Sequence, residues 1–154
     1  RDEAYRLCRS IAVMDKGSTT PPRLTKELFE DPHPVAAASL TGCKNISKAE
    51  KQGEHQLYAV DWGVTLSTAA ELHDGLCAVG VRAHDILEEE RHNRYAIVCG
   101  QPIEDPFELT QPFTFACQGD KKMLLWVKLQ RREPYSAPKE VGIAPDKVLP
   151  LYEK

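Results

Sequence analysis

The chain is poor in aromatic residues: Phe, Trp and Tyr make up 7% of its 154 residues. A stacking platform for nucleobases is therefore thinly supplied. It also lacks a basic excess, because 20 Lys and Arg stand against 23 Asp and Glu, a net charge of −3. That balance argues against nucleic acid as a partner. No apolar run approaches the roughly 20 residues that cross a bilayer. The opening RDEAYRLCRS is charged where a secretory signal would be apolar. Its five cysteines, Cys8, Cys43, Cys77, Cys99 and Cys117, are odd in number, and no two sit at zinc-ligand spacing. Cys77 and Cys99 lie inside apolar runs, so the set reads as reduced thiols serving as small hydrophobes. A GxxxxGK[ST] phosphate loop is also missing.

What is present suffices for one core of ordinary size: 42% of residues are hydrophobic and 28% charged. Ala4, Leu7, Cys8 and Ile11 recur at helical spacing. The run at 11–14 stops at Asp15-Lys16-Gly17 and reads as a strand and turn, with residues 18–23 a loop. Thr25 is placed as an N-cap for a helix over 26–30, with Leu24 and Phe29 as its staple. Pro32 and Pro34 end that helix, and an alanine-rich helix follows over 35–40. Beyond residue 41 the pattern changes to short strands at 56–60, 64–68, 76–82, 94–99, 113–117 and 123–130. Frequent turn residues separate them, and Gly63, Gly75, Gly80 and Gly100 fit turns or bulges. The expected class is mainly β: a small OB-like antiparallel barrel preceded by a short α/β segment, with the boundary near Gly42.

Two stretches resemble known proteins. DEAYRLCRSIAVMDKG at 2–17, followed by TKELFEDP at 25–32, resembles the end of an ABC importer ATPase domain. There the order is a helix after the switch histidine, a strand, a turn, a second helix and a linker. Arg9-Ser10 stand where Asp-Arg is usual, and residues 18–23 replace the usual hairpin. LCAVGVRAHDI at 76–86 is similar to the GIRPEDI signature of the TOBE accessory domain of the same importers, with Ala83 and His84 for Pro and Glu. GIAPDKVLPLY at 142–152 is similar to that domain's closing phrase, and TGCKNI at 41–46 to its opening, nearest to the molybdate, tungstate and sulfate importers. The resemblance implies a fragment of a longer subunit: residues 1–42 as the tail of the nucleotide-binding domain and 43–154 as a TOBE-like barrel. ATP and magnesium would then be bound by the parent upstream of Arg1, with no cofactor in this segment. It implies a homodimer joined through the barrels, contact with membrane permease subunits, and a cytoplasmic position at the inner face of the membrane. The alternative is a free-standing OB-like ligand-binding domain.

Thr41, Gly42, Cys43, Lys44 and Asn45 are the candidate oxyanion site. The resemblance sets them where molybdate-binding relatives use Ser-Ala-Arg-Asn to hold a tetrahedral anion. Converging backbone N–H groups and a cation supply the physical logic. Here Gly replaces Ser and Lys replaces Arg, and a lysine is a hydrated point charge without arginine's planar fork. The competing reading is a linker turn with a solvated lysine. Arg82, His84 and Asp85 form a second cluster, read first as a turn in which the acid pairs with Arg82 and only second as a catalytic pair. Glu88, Glu89 and Glu90 beside Arg91 and His92 read as a solvated loop. Glu104 and Asp105 open a turn before Pro106, a weaker reading being a two-carboxylate hydrolase. Trp62 and Trp126 read as core aromatics.

Overall fold

A computed structural model describes residues 1–104, 109–116, 125–129 and 137–153. Cys117, Met123, Leu124, Gln130, Asp105 and the side chains of Glu104 and Trp126 lie outside the described residues.

The first 40 residues form small elements. Helix α1 (Asp2–Leu7) buries none of its side chains. Strands β1 (Ser10–Ile11) and β4 (Arg23–Leu24) pair, and between them β2 (Met14–Asp15) and β3 (Ser18–Thr19) form a hairpin. Its two-residue turn, Lys16–Gly17, has both residues at positive φ, the geometry that matches strand twist. Part of the expected loop at 18–23 is thus strand. Helix α2 (Thr25–Glu30) begins at Thr25, but the threonine hydroxyl does not cap it; it donates to the Cys8 carbonyl across the lobe at 2.5 Å. The expected Leu24–Phe29 staple gives way as well: Leu24 is exposed, and Phe29 meets Tyr5 edge-on at 4.9 Å. Helix α3 (Val35–Leu40) falls where the alanine run predicts it.

Two antiparallel sheets follow. The first has the order β15-β8-β5-β6-β7, from β5 (Asn45–Lys51), β6 (Gln56–Ala59), β7 (Val64–Ser67), β8 (Leu76–Val81) and β15 (Leu149–Tyr152). The second joins β9 (Ile86–Leu87), β14 (Glu140–Ile143), β10 (Tyr95–Cys99), β11 (Ile103–Glu104) and β12 (Leu109–Phe115), with β13 (Leu125–Leu129) along the other edge of β12. This sheet curls until β13 approaches residues 83–87, bringing its outer strands back together. The fold is therefore mainly β, with antiparallel strands curving around one core.

Alternation builds that core. Leu57 and Ala59 of β6, Val64 and Leu66 of β7, and Val79 and Val81 of β8 point inward to meet Ile97, Phe113, Phe115, Val141 and Ile143. Trp62 is 1% exposed among them, its ring 6.4 Å from Phe115. Strand β8 is buried on both faces. Val79 and Val81 face this core, while Ala78 faces a second cluster with Ala38 of α3, Cys43, Leu149 and Leu151. Gly80 sits inside the strand rather than in a turn, because a Cβ there would lie 2.9 Å from the Cys43 sulfur.

The edge of β7 is closed by side chains. Asn93, at φ +47°, accepts the Ser67 N–H at 2.7 Å and donates to the carbonyls of Ser67 and Ile143 at 2.9 Å each. The Tyr95 hydroxyl donates to the Thr65 carbonyl. Asn93 therefore acts as a one-residue strand between the sheets. Asn93→Ala is expected to destabilise by about 2–3 kcal/mol, because backbone groups at a closed edge lose their partners. Asn93→Gly should cost about 1 kcal/mol less, since glycine tolerates the left-handed backbone. Urea unfolding measures both, and variants indistinguishable from the parent would contradict the bridge.

Candidate functional site

Residues 41–45 close a helix and begin a strand. The Gly42 N–H donates to the Ser39 carbonyl at 3.1 Å and the Cys43 N–H to the Ala38 carbonyl at 2.9 Å. With Gly42 at φ +97°, these are the two bonds of a Schellman cap on α3. The Thr41 N–H is also engaged, with Ala37 at 2.9 Å. Asn45 is buried and is the first residue of β5, opposite Val81 in β8, not part of a free turn. Lys44 is exposed. The backbone donors that an oxyanion would use at Thr41, Gly42 and Cys43 are therefore committed to the cap.

Two guanidinium groups meet this cap. Arg82, from the end of β8, donates to the carbonyls of Phe29 (2.6 Å) and Thr41 (2.8 Å) and to the Thr41 hydroxyl (3.1 Å). Arg1 rests over Gly42, where a Cβ would come within 2.5 Å of its Nη1. The expected pairing of Arg82 with Asp85 gives way to these acceptors, which take up the guanidinium's donors. Asp85 instead lies 3.7 Å from the exposed His84. No third group completes a catalytic relay at that pair among the described contacts.

Cys43 lies beneath the cap. Burial pushes its thiol up to about 11, against a smaller opposing pull from Arg82. Burial also raises Cys77 and Cys99, and all three thiols donate to backbone carbonyls: Asn45, Leu151 and Pro138.

The acidic run is more ordered than a solvated loop. The Glu90 carboxylate accepts the His92 ring nitrogen at 2.7 Å and the N–H groups of Arg91 and His92. Arg94 donates to the carbonyls of Glu88 and Glu90. The Ile143 N–H donates to the His92 carbonyl, and Gly142 lies so close that a Cβ would stand 2.1 Å from the Glu90 carbonyl oxygen. Any other residue at 142 would lift this loop from β14. The sequence offered no pattern for Asn93, because its partners are backbone atoms 26 and 50 residues away in the chain.

An open cleft of about 420 Å³ borders β15, lined by His33, His73, Asp74, Gly75, Tyr152 and Glu153. The His33 ring stacks on Tyr152 with centroids 5.2 Å apart, and the His73 N–H donates to the Tyr152 hydroxyl. Among the described residues, no three His, Cys, Asp or Glu side chains converge on a point that could hold a metal. The chain matches no family model and no curated protein.

Two outcomes follow from these surroundings. Cys8 is exposed and should react with a thiol reagent at pH 8 well ahead of Cys43, which is buried and whose pKa of about 11 keeps its thiolate scarce. Mass spectrometry of timed labelling checks this, and equal rates would contradict the burial. The His92 hydrogen bond, with the two N–H groups, lowers Glu90 below its ordinary 4.5. Its contribution to stability is then present above pH 4.5 and lost as pH falls through the lower folded value. Glu90→Gln should flatten that acid limb of the stability curve, and an unchanged limb would count against the Glu90–His92 pair.

Proposed function

We propose that this chain is the C-terminal region of an ABC importer's ATP-binding subunit. Residues 1–42 are the tail of the nucleotide-binding domain, and residues 43–154 are a TOBE-like accessory barrel with a regulatory and pairing role. The reading draws its identity from the motifs at 2–17, 25–32, 76–86 and 142–152. The order of elements supports it: helix, short strands, helix and alanine-rich linker precede a curled antiparallel body.

One observation carries the reading. The first 30 residues keep apolar side chains outside: Leu7 is 83% exposed, Met14 70%, Tyr5 48% and Leu24 47%. Their own cluster is limited to Val13, Leu28 and Ala37, with Ile11 and Ala36 beside it. Four large apolar side chains exposed on so small a lobe support a docking place there, although Leu40, Val98 and Ile103 are exposed elsewhere. In the proposed subunit that surface is the rest of the ATPase domain, and a second copy is the available cover for the chain by itself. ATP and magnesium belong to the parent's phosphate loop, which these residues do not supply. No oxyanion at Thr41–Asn45 is needed, and one seated on those amides has to displace the α3 cap. Among the described residues no helix is long and apolar enough to cross a membrane; attachment to the membrane through permease subunits is part of the proposal.

The purified chain is expected to show no magnesium-dependent ATP turnover. The coding frame ahead of Arg1 is expected to encode a GxxxxGK[ST] loop followed by an ATPase signature. A frame without that loop contradicts the reading.

A further inference from the structure

We propose that residues 1–30 form a lobe that swings on the barrel, hinged at residues 31–34 and latched by Arg82. This goes beyond the functional reading, because it follows from contacts within the chain and holds whatever protein the lobe serves.

The contacts divide the molecule at that point. Helices α1 and α2 and strands β1–β4 neighbour one another, whereas α3 neighbours β15. Helix α3 belongs to the body through Ala38 and Val35, which pack with Leu149, Leu151 and Cys43. It offers its other side, Ala36 and Ala37, to Val13 and Leu28 of the lobe. That apolar seam is small and made of alanine on the body's side, so it resists sliding weakly. Arg82 is the charged tie from the body across the seam, and Arg1 of the lobe rests over Gly42 beside it. Its fork holds the Phe29 carbonyl at the end of α2 and the Thr41 carbonyl and hydroxyl in the α3 cap. Charge-assisted bonds of this kind are the stronger sort, and they break singly when a lobe rotates.

The hinge has a recognisable construction. His33 stands at φ +62° between Pro32 and Pro34. A non-glycine residue there is held by its surroundings. What holds it is the barrel edge: the Tyr152 N–H donates to the His33 carbonyl at 2.7 Å, Pro34 forms a parallel bridge with Tyr152, and the two rings stack. From the lobe side, Arg23 donates to the carbonyls of Asp31 and Pro32. Asp31 and Pro32 are thus tied to the lobe and His33 and Pro34 to the body, so the pivot falls between Pro32 and His33, after α2 stops and before α3 starts.

Hydrogen exchange on the full chain tests the hinge. In the parent, amides of α2 and β1–β4 should exchange well before those of β5, β6 and β8. Arg82→Gln should speed exchange in residues 1–30 by about tenfold or more while leaving β5 and β6 unchanged, and Arg82→Lys should restore part of the protection. His33→Gly, which removes the ring stack but suits the backbone, should speed exchange at the Tyr152 amide without altering β5 or β6. Equal protection of lobe and barrel in the parent overturns the proposal. So does loss of protection in both together in any variant, or an Arg82→Gln lobe as protected as the parent's.

Discussion

Everything in this structure depends on how two sheets of short strands keep their backbone edges from water and from each other. A strand of four residues has few ladder bonds to lose, so an uncovered edge is a large part of its account with solvent. The molecule answers differently at each edge. Asn93 and Tyr95 close β7 with side-chain groups, residues 33 and 34 close β15, and the second sheet curls until β13 nears residues 83–87. Two left-handed residues and one glycine have the same cause. Asn93 and His33 are left-handed where they meet an edge, and Gly142 admits the loop that carries Asn93 to its place.

Much of the β body was legible in the residues. The runs around Leu57, Leu66, Val79, Ile97 and Val127 were read as strands because their apolar residues bunch between turn residues, and Trp62 belonged to the core for its size. Strands β5, β14 and β15 were not read. In NISKAEK the inward residues are Asn45, Ser47 and Ala49, so the alternation is of size and burial rather than of hydrophobicity. EVGI is too short to show a period, and LPLY carries a proline, which argues against reading a strand there. The ends of the lobe's elements were missed for a different reason. Thr25 and Leu24 satisfy a local capping rule, and the tertiary partners Cys8 and solvent override it.

At residues 41–45 the sequence showed Gly42, Cys43, Lys44 and Asn45 in a row, which suits a turn around an anion as well as the end of a helix. Register decides between the uses of these groups. Gly42 and Cys43 finish α3, and Asn45 is already paired with β8. The importance of Arg82 was visible only as a charge at the end of an apolar strand. Its acceptors are carbonyls 41 and 53 residues away, and a carbonyl leaves no mark on a sequence. The same argument covers the Glu90 turn, where the groups that matter are main-chain N–H and C=O.

The picture that results is a closed β body carrying a lobe whose apolar side chains face outward. We propose that the exposed apolar residues of the lobe are where the chain, by itself, meets a second copy. Sedimentation velocity at micromolar concentration tests it most directly, comparing the parent with a Leu7→Ser, Met14→Gln double variant. Both residues are too exposed for their loss to disturb either core. The parent should associate with itself and the double variant should remain a monomer. A parent that is monomeric across the range, or a variant that associates as strongly as the parent, would contradict the account.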